Sequence, residues 1–257
     1  MYRYKKMKLW QCFGIIFLFS LLTAFLKKDH AMPEPFPVAN GFAIVELFTS
    51  EGCSSCPPAD AVAEKLATEF PGRVYVLGYH VDYWNYLGWK DIYSQPAFTE
   101  RQRQYASLFS LNSIYTPQVV VNGKTELVGS KENELRKTIT AALKNATPVA
   151  LSLSEGNHHD HTISVNYSSG EDGRLSLALV QNHAVSDVKR GENSGRQLRH
   201  INVVRDLKTV TVTKHQAGTA TLTLPAGLSA QAVSVIGFVQ HPQSLEVLAA
   251  GEIRNLK

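Results

Sequence analysis

The stretch ELFTSEGCSSCPPAD, Glu46 to Asp60, limits what this chain can fold into more than any other. FAIVELFT (Phe42–Thr49) leads into it, short, mostly apolar and β-prone, the pattern of a buried strand. PPADAVAEKLATEF (Pro57–Phe70) follows it and sets Ala61, Val62, Leu66 and Phe70 on one helical stripe, with proline tolerated in the first turn. Pro71–Gly72 stops that helix, and RVYVLGYHV (Arg73–Val81) is a second strand. The spacing predicts a βαβ unit whose helix opens at two cysteines, Cys53 and Cys56.

That placement has chemical consequences. A thiol reacts only as thiolate, and unpaired backbone N–H groups at a helix N-terminus favour the thiolate. The two-residue spacing lets Cys56 reach Cys53 and close a disulfide after a mixed-disulfide intermediate. Cys53 is then expected as the exposed attacking thiol and Cys56 as the buried resolving one. A purely structural staple closing so few residues would add little, because loop-entropy stabilisation grows with loop length. A metal site stays open: soft thiolates favour Cu(I) and Zn, with His80 as third ligand.

The rest of the composition says where such a pair would work. MYRYKKMK is a positive n-region, and LWQCFGIIFLFSLLTAFL (Leu9–Leu26) is an uncharged apolar run. Residues 1–31 therefore read as a secretory signal or, if retained, an N-terminal membrane anchor, and both place the body outside the cytoplasm. The formal charge of +4 comes from this leader, since the body holds 20 of the 26 basic and 21 of the 22 acidic residues. With no clustered Lys/Arg in the body, no nucleic-acid partner is expected. Of the three cysteines, Cys12 lies in the leader, which leaves Cys53 and Cys56 as the thiol pair and excludes a disulfide-framework domain.

Further along, residues 82–112 are aromatic and polar, with a helical turn and then a helix from about Pro96 to Phe109. YTPQVVVNGKTELVG (Tyr115–Gly129) gives a strand, an Asn122–Gly123 hairpin turn and a second strand. SKENELRKTITAALKNA (Ser130–Ala146) is a helix with Ser130 as N-cap and Leu135, Ile139, Ala142 and Leu143 on its buried stripe. After Pro148 strand-length apolar or alternating runs follow one another, separated by Gly, Asn and Asp, the texture of an antiparallel β domain, sandwich-like, over 148–257. HHDH (His158–His161) reads as a solvated turn there. KRGENSGRQLRHINVVRDL (Lys189–Leu207) reads as a polar loop, solvated or between domains, or as one whose Arg196 and Arg199 grip an acidic ligand.

Strand, C-x-x-C at a helix start, strand, then Thr-Pro before a hairpin and a final helix is the order of a thioredoxin-like domain. VELFTSEGCSSCPPAD, YHVDYWNYLGWKD, YTPQVVVNG and RGENSGRQLRH together resemble an uncharacterised family of exported bacterial thioredoxin-like proteins with a β-rich C-terminal part. The resemblance covers roughly residues 40–255 and implies a thioredoxin-like domain over 40–147, with the helical insertion 82–112. It implies Cys53 and Cys56 as the redox pair, and Pro117, after Thr116, as the cis proline facing the active-site sulfur. It also implies Glu46, on the first strand, as a buried carboxylate that takes the proton of the second cysteine. Gly52 stands where thioredoxin itself has a tryptophan, and Ser54–Ser55 where it has Gly-Pro, so redox potential and partner do not transfer. The expectation is an exported α/β thiol–disulfide oxidoreductase, direction unspecified, acting on a protein or small-molecule thiol or disulfide without a cofactor. Its alternatives are a copper- or zinc-binding module and a non-catalytic partner-binding protein. Hydrolase and nucleotide signatures are absent from the sequence.

Overall fold

The computed structural model describes residues 41–145, 150–159 and 161–257. The leader, the Pro-rich segment before Gly41 and the expected division at Pro148 lie outside the described residues. Eleven strands and three helices follow one another among them. They are β1 (Ala43–Thr49), α1 (Pro57–Glu69), β2 (Val74–His80), α2 (Pro96–Leu108), β3 (Gln118–Val121), β4 (Thr125–Val128), α3 (Glu132–Lys144), β5 (Leu151–His159), β6 (Thr162–Ser169), β7 (Gly173–Asp187), β8 (Gln197–Val212), β9 (Ala217–Thr223), β10 (Val233–Gln240) and β11 (Val247–Ile253). A short 3-10 turn at Asn85–Leu87 precedes α2.

Eight strands form one mixed sheet in the order β11-β10-β7-β8-β2-β1-β3-β4, and β5-β6-β9 form a second. β1 and β2 run parallel, β3 antiparallel to β1, as the βαβ unit followed by a hairpin requires. Every residue of β1 is buried, because both faces of the sheet are covered there. Alternation sorts the two faces. Ala43, Val45 and Leu47 pack with Ala59, Ala63 and Leu66 of α1 and Leu135, Ile139 and Leu143 of α3. Ile44 and Phe48 point the other way, onto Phe98 and Tyr105 of α2.

Local chemistry explains most element ends. Two prolines occupy the first positions of α1, where their missing N–H groups are no loss. The β3–β4 turn has Asn122 at φ 50° and Gly123 at φ 68°, the positive pair that a tight hairpin demands. Gly123 is also a contact point, since a Cβ there would fall 1.9 Å from the Leu245 carbonyl oxygen. α3 starts later than expected: Lys131, not Ser130, is its N-cap, and no side chain caps it. Glu132 and Glu134 in its first turn and Lys144 in its last complement the helix dipole instead.

The large sheet draws strands from both sides of the expected division. β8 meets β2 at the pair Gly78–Val203, so the strands after residue 148 extend the same sheet that carries the cysteine unit. One core cluster joins Ile44, Tyr79 and Phe98 to Val180, Val204, Ile236 and Phe238 from the C-terminal half. The described residues accordingly form a single compact unit. The other face of β7 and β10 packs Leu175, Leu177, Val233 and Val235 against Ile163, Val165 and Leu222 of the three-stranded sheet. His158 and His159, read as part of a solvated turn, instead close β5 and pair with Ile163 and Thr162 of β6.

The segment read as a polar loop is corrected. β7 and β8 make a hairpin of 15- and 16-residue strands, and β8 begins at Gln197, within that segment. The turn between them spans residues 188–196 and crosses to the cysteine loop.

Candidate active site

The register of β1 fixes the setting of the cysteines. Thr49, its last residue, pairs with His80 at the end of β2, and Phe48 pairs with Gln118. Antiparallel extension sets Pro117 beside Thr49, so the loop leaving β1 is flanked by His80 on one side and Pro117 on the other. The Thr116–Pro117 peptide is cis. Cys53 and Cys56 are joined by a disulfide. Cys56 is the N-cap of α1, and its carbonyl accepts the N–H groups of Ala59 and Asp60 at 2.8 and 3.1 Å. The Cys53 sulfur lies 3.3 Å from the Ser55 hydroxyl.

Both cysteines are 0% exposed, which corrects the expectation of an exposed Cys53. The cover comes from the β7–β8 turn. Asn193 Nδ2 donates to the carbonyls of Glu51 and Cys53, both at 2.9 Å. Glu192 Oε2 accepts from the backbone N–H and the hydroxyl of Ser54, at 2.9 and 2.7 Å. These bonds hold the exposed Glu192 carboxyl below its usual range. Arg196 braces the turn by donating to Asn193 Oδ1 at 2.9 Å, and Arg199 is exposed on β8. On the adjacent side Trp84 packs against the loop, where a Cβ on Gly52 would come within 3.1 Å of the Trp84 Cβ. A surface cleft of about 410 Å³ lies away from the cysteines, near the start of β1, lined by Phe42, Asn122, Ala142 and Glu246 among others.

Glu46 is buried on β1, as expected, but on the face away from the cysteines. Alternation turns it toward α2, whereas α1 and its cysteine cover the opposite face of the sheet. It is fully buried but not alone. Arg101 binds both its carboxylate oxygens, and the Tyr105 hydroxyl donates to one of them. Gln240 completes the group, accepting from Arg101 at 3.0 Å and donating to the Tyr105 oxygen at 2.9 Å. Burial opposes the charge on Arg101, but Glu46, with Tyr105 and Tyr79, outweighs it and holds the guanidinium proton more tightly than usual. Burial and the neighbouring Glu46 push the Tyr105 hydroxyl well up. Glu46 is thus an ion-pair and hydrogen-bond partner of Arg101 and Tyr105.

A different polar cluster lies on the α1 side of the sheet, behind the cysteine loop. His80 is buried, with Nδ1 2.6 Å from Asp91 Oδ2, an oxygen that also accepts the Glu51 N–H at 2.9 Å. Burial works against the charge on His80, but Asp91 outweighs it and raises the imidazole, while His80 in turn outweighs burial and lowers Asp91. Both shifts favour the charged form of the pair. Glu51 gives one carboxylate oxygen to the Trp89 indole N–H at 2.7 Å. His200, delivered by β8, sits between two acids, its Nδ1 3.6 Å from Asp60 Oδ2 and its Nε2 3.8 Å from Glu51 Oε1. Its ring meets His80 edge-on, with centroids 4.7 Å apart. Among the described residues, four buried atoms here have no hydrogen-bond partner: Glu51 Oε1, His80 Nε2 and both nitrogens of His200. Among the described residues no group of three His, Cys, Asp or Glu side chains is gathered to hold a metal ion.

Sequence reading missed Glu51, Asp60, Asp91 and His200 as members of the site. The nearest signal was the short motif RGENSGRQLRH, which contains Glu192, Asn193 and His200 but not the contacts they make.

The site thus defined is a closed disulfide at a helix start within a mixed, β-rich α/β fold, covered by a distant hairpin. A family model described as "Protein of unknown function (DUF1223)" matches residues 44–240, and the chain belongs to that family. Over 90 residues it is 30% identical to a thioredoxin of Methanocaldococcus jannaschii, covering 35% of this chain and 82% of that protein. A crystal structure of a protein from Agrobacterium tumefaciens is similar at 28% identity and a TM-score of 0.65, over 82% of this chain and 93% of the other. HBP35 of Porphyromonas gingivalis shares the fold, with a TM-score of 0.58 at 17% identity, over 83% and 74% of the two chains.

Proposed function

We propose that the chain is a thiol–disulfide oxidoreductase working through Cys53 and Cys56, in a thioredoxin-like unit whose sheet continues into the C-terminal strands. The observation that carries this reading is the disulfide itself, closed in the loop that enters α1 with Cys56 at the helix N-cap. Opening it releases thiolates at the positive end of the α1 dipole, which favours negative sulfur. The 90-residue likeness to a thioredoxin supports the same chemistry. Cys53 is the sulfur attacked, with Thr116 and Pro117 as the opposite wall of the groove. The partner is a protein or small-molecule thiol or disulfide that first displaces the Glu192–Asn193 turn. The apolar leader supports a place of work outside the cytoplasm.

The test is a trapping experiment with the Cys56→Ser chain. An attacking thiol left on Cys53 cannot then be expelled, so mixed disulfides with partner thiols accumulate and resolve on adding dithiothreitol. The Cys53→Ser chain accumulates none at that position and exchanges no disulfide in a protein-reduction assay. Equal exchange by wild type and Cys53→Ser would end this reading.

A further inference from the structure

A disulfide that opens and closes needs a place to keep a proton, and Glu46 is not available for it. The candidate on the correct face of the sheet is the unsaturated cluster. Asp60 lies four residues after Cys56 in α1, one turn along the same helix face, with its backbone N–H on the Cys56 carbonyl. Its carboxylate accepts from the Thr49 hydroxyl at 3.4 Å and faces His200 Nδ1 at 3.6 Å. His200 is 3% exposed, and neither of its nitrogens has a partner. A buried imidazole between two carboxylates, with neither nitrogen at hydrogen-bond distance, has a donor and an acceptor to offer.

We propose that Asp60 and His200 hold and return the proton of the Cys56 sulfur, with His200 acting through Asp60 as a positioning residue. This rests on the thiol–disulfide reading above and names the proton-handling residues of that same site. In the reducing direction a substrate thiolate attacks the Cys53 sulfur and the Cys53–Cys56 bond breaks. Its electron pair goes to the Cys56 sulfur, which takes a proton from the Asp60–His200 pair. A second substrate thiolate then attacks the substrate sulfur of the mixed disulfide, expelling Cys53 as thiolate and leaving the substrate oxidised. In the opposite direction Cys56 returns its proton to the pair, and its thiolate attacks Cys53 to expel the substrate thiolate. The groups that face His200 are Asp60 of α1, Glu51 of the cysteine loop, His80 of β2 and Tyr93 of the segment after it, with Asp91 behind His80. The C-terminal half thereby supplies a working residue, and not only a cover.

Dithiothreitol opening of the disulfide in the full chain tests this between pH 5.5 and 8.5, with each rate divided by the dithiothreitol thiolate concentration. In wild type the corrected rate rises toward low pH, as the pair gains the proton that the leaving Cys56 needs. In His200→Gln the rise is lost and the rate at the acid end falls about tenfold, less than the roughly hundredfold or more of a directly placed acid. Asp60→Asn loses the rise as well. A His200→Gln profile parallel to wild type overturns the proposal. Should that variant not fold, NMR titration of the His200 ring protons in wild type decides. Curves displaced between oxidised and reduced chains support the proposal; superposable curves overturn it. A chain that keeps the wild-type pH profile but exchanges with no protein thiol loses the oxidoreductase reading and not the proton pair.

Discussion

Two buried ionic networks flank the first half of the sheet, and they are built to opposite specifications. On the α2 side, Glu46, Arg101, Tyr105 and Gln240 satisfy one another, with the Arg101 guanidinium also 5.4 to 5.6 Å above the rings of Phe238, Tyr105 and Tyr79. On the α1 side, Glu51, Asp60, His80, Asp91 and His200 leave four buried atoms unpartnered. A saturated network fixes a geometry, here the junction of α2 with β10. An unsaturated one beside a disulfide has room to change protonation. The difference teaches that burial of a carboxylate near the cysteines is not by itself a sign of proton transfer; the state of its partners decides.

The largest effect expected from breaking this contrast is at Arg101. Arg101→Met strands Glu46 in the core and lowers the unfolding free energy by about 3–5 kcal/mol, as for other broken buried pairs. Urea titration measures it, and the dithiothreitol pH profile of the folded variant keeps its shape, since Glu46 is not in the relay. A changed profile would merge the two networks into one.

Asp91→Asn comes next, at about 3 kcal/mol, because it unpairs the buried His80 charge. Its pH dependence is specific. His80 is raised by Asp91, so its contribution is complete below the unfolded imidazole value near 6.5 and fades as pH rises through the folded one. Asp91 is lowered, so its contribution is present above the unfolded carboxylate value and fades only in stronger acid. The variant therefore loses more stability at pH 5.5 than at pH 8.5, by denaturant unfolding at both. The reverse order would mean that His80 is neutral in the folded chain.

Asn193→Ala has the smallest thermodynamic effect, about 1–2 kcal/mol for two lost hydrogen bonds to buried carbonyls. It sharpens the comparison kinetically: dithiothreitol opens the disulfide several-fold faster in the variant, because the turn over Cys53 has lost its grip. An unchanged rate would show that the turn does not limit access.

What was legible in the sequence was local. The cysteine helix, the Asn122–Gly123 hairpin and the α3 stripe of Leu135, Ile139 and Leu143 each rest on signals within a few turns or one loop. Partners were illegible wherever they came from far along the chain. Glu46 reads as a lone carboxylate until Arg101 and Gln240, from two other elements, are placed on it. β8 reads as a loop because its first half alternates Leu198 and His200 with exposed polar residues, and a buried histidine scores as polar. The continuity of the eight-stranded sheet turns on one strand pair, Gly78 with Val203, for which no periodicity in either strand gives a sign.

The Asn193 bond to the Cys53 carbonyl spans 140 residues of chain. Made from the N-terminus at roughly 5–20 residues per second, the cysteines precede their cover by about 7–28 seconds. During that time the cysteine loop lacks both the Glu192–Asn193 turn and His200, and its thiols meet whatever oxidant or chaperone surrounds the growing or newly released chain. The finished molecule admits only a partner able to move the turn aside. Biogenesis and action thus present the same two sulfurs to two different audiences, separated by the time it takes to complete one hairpin.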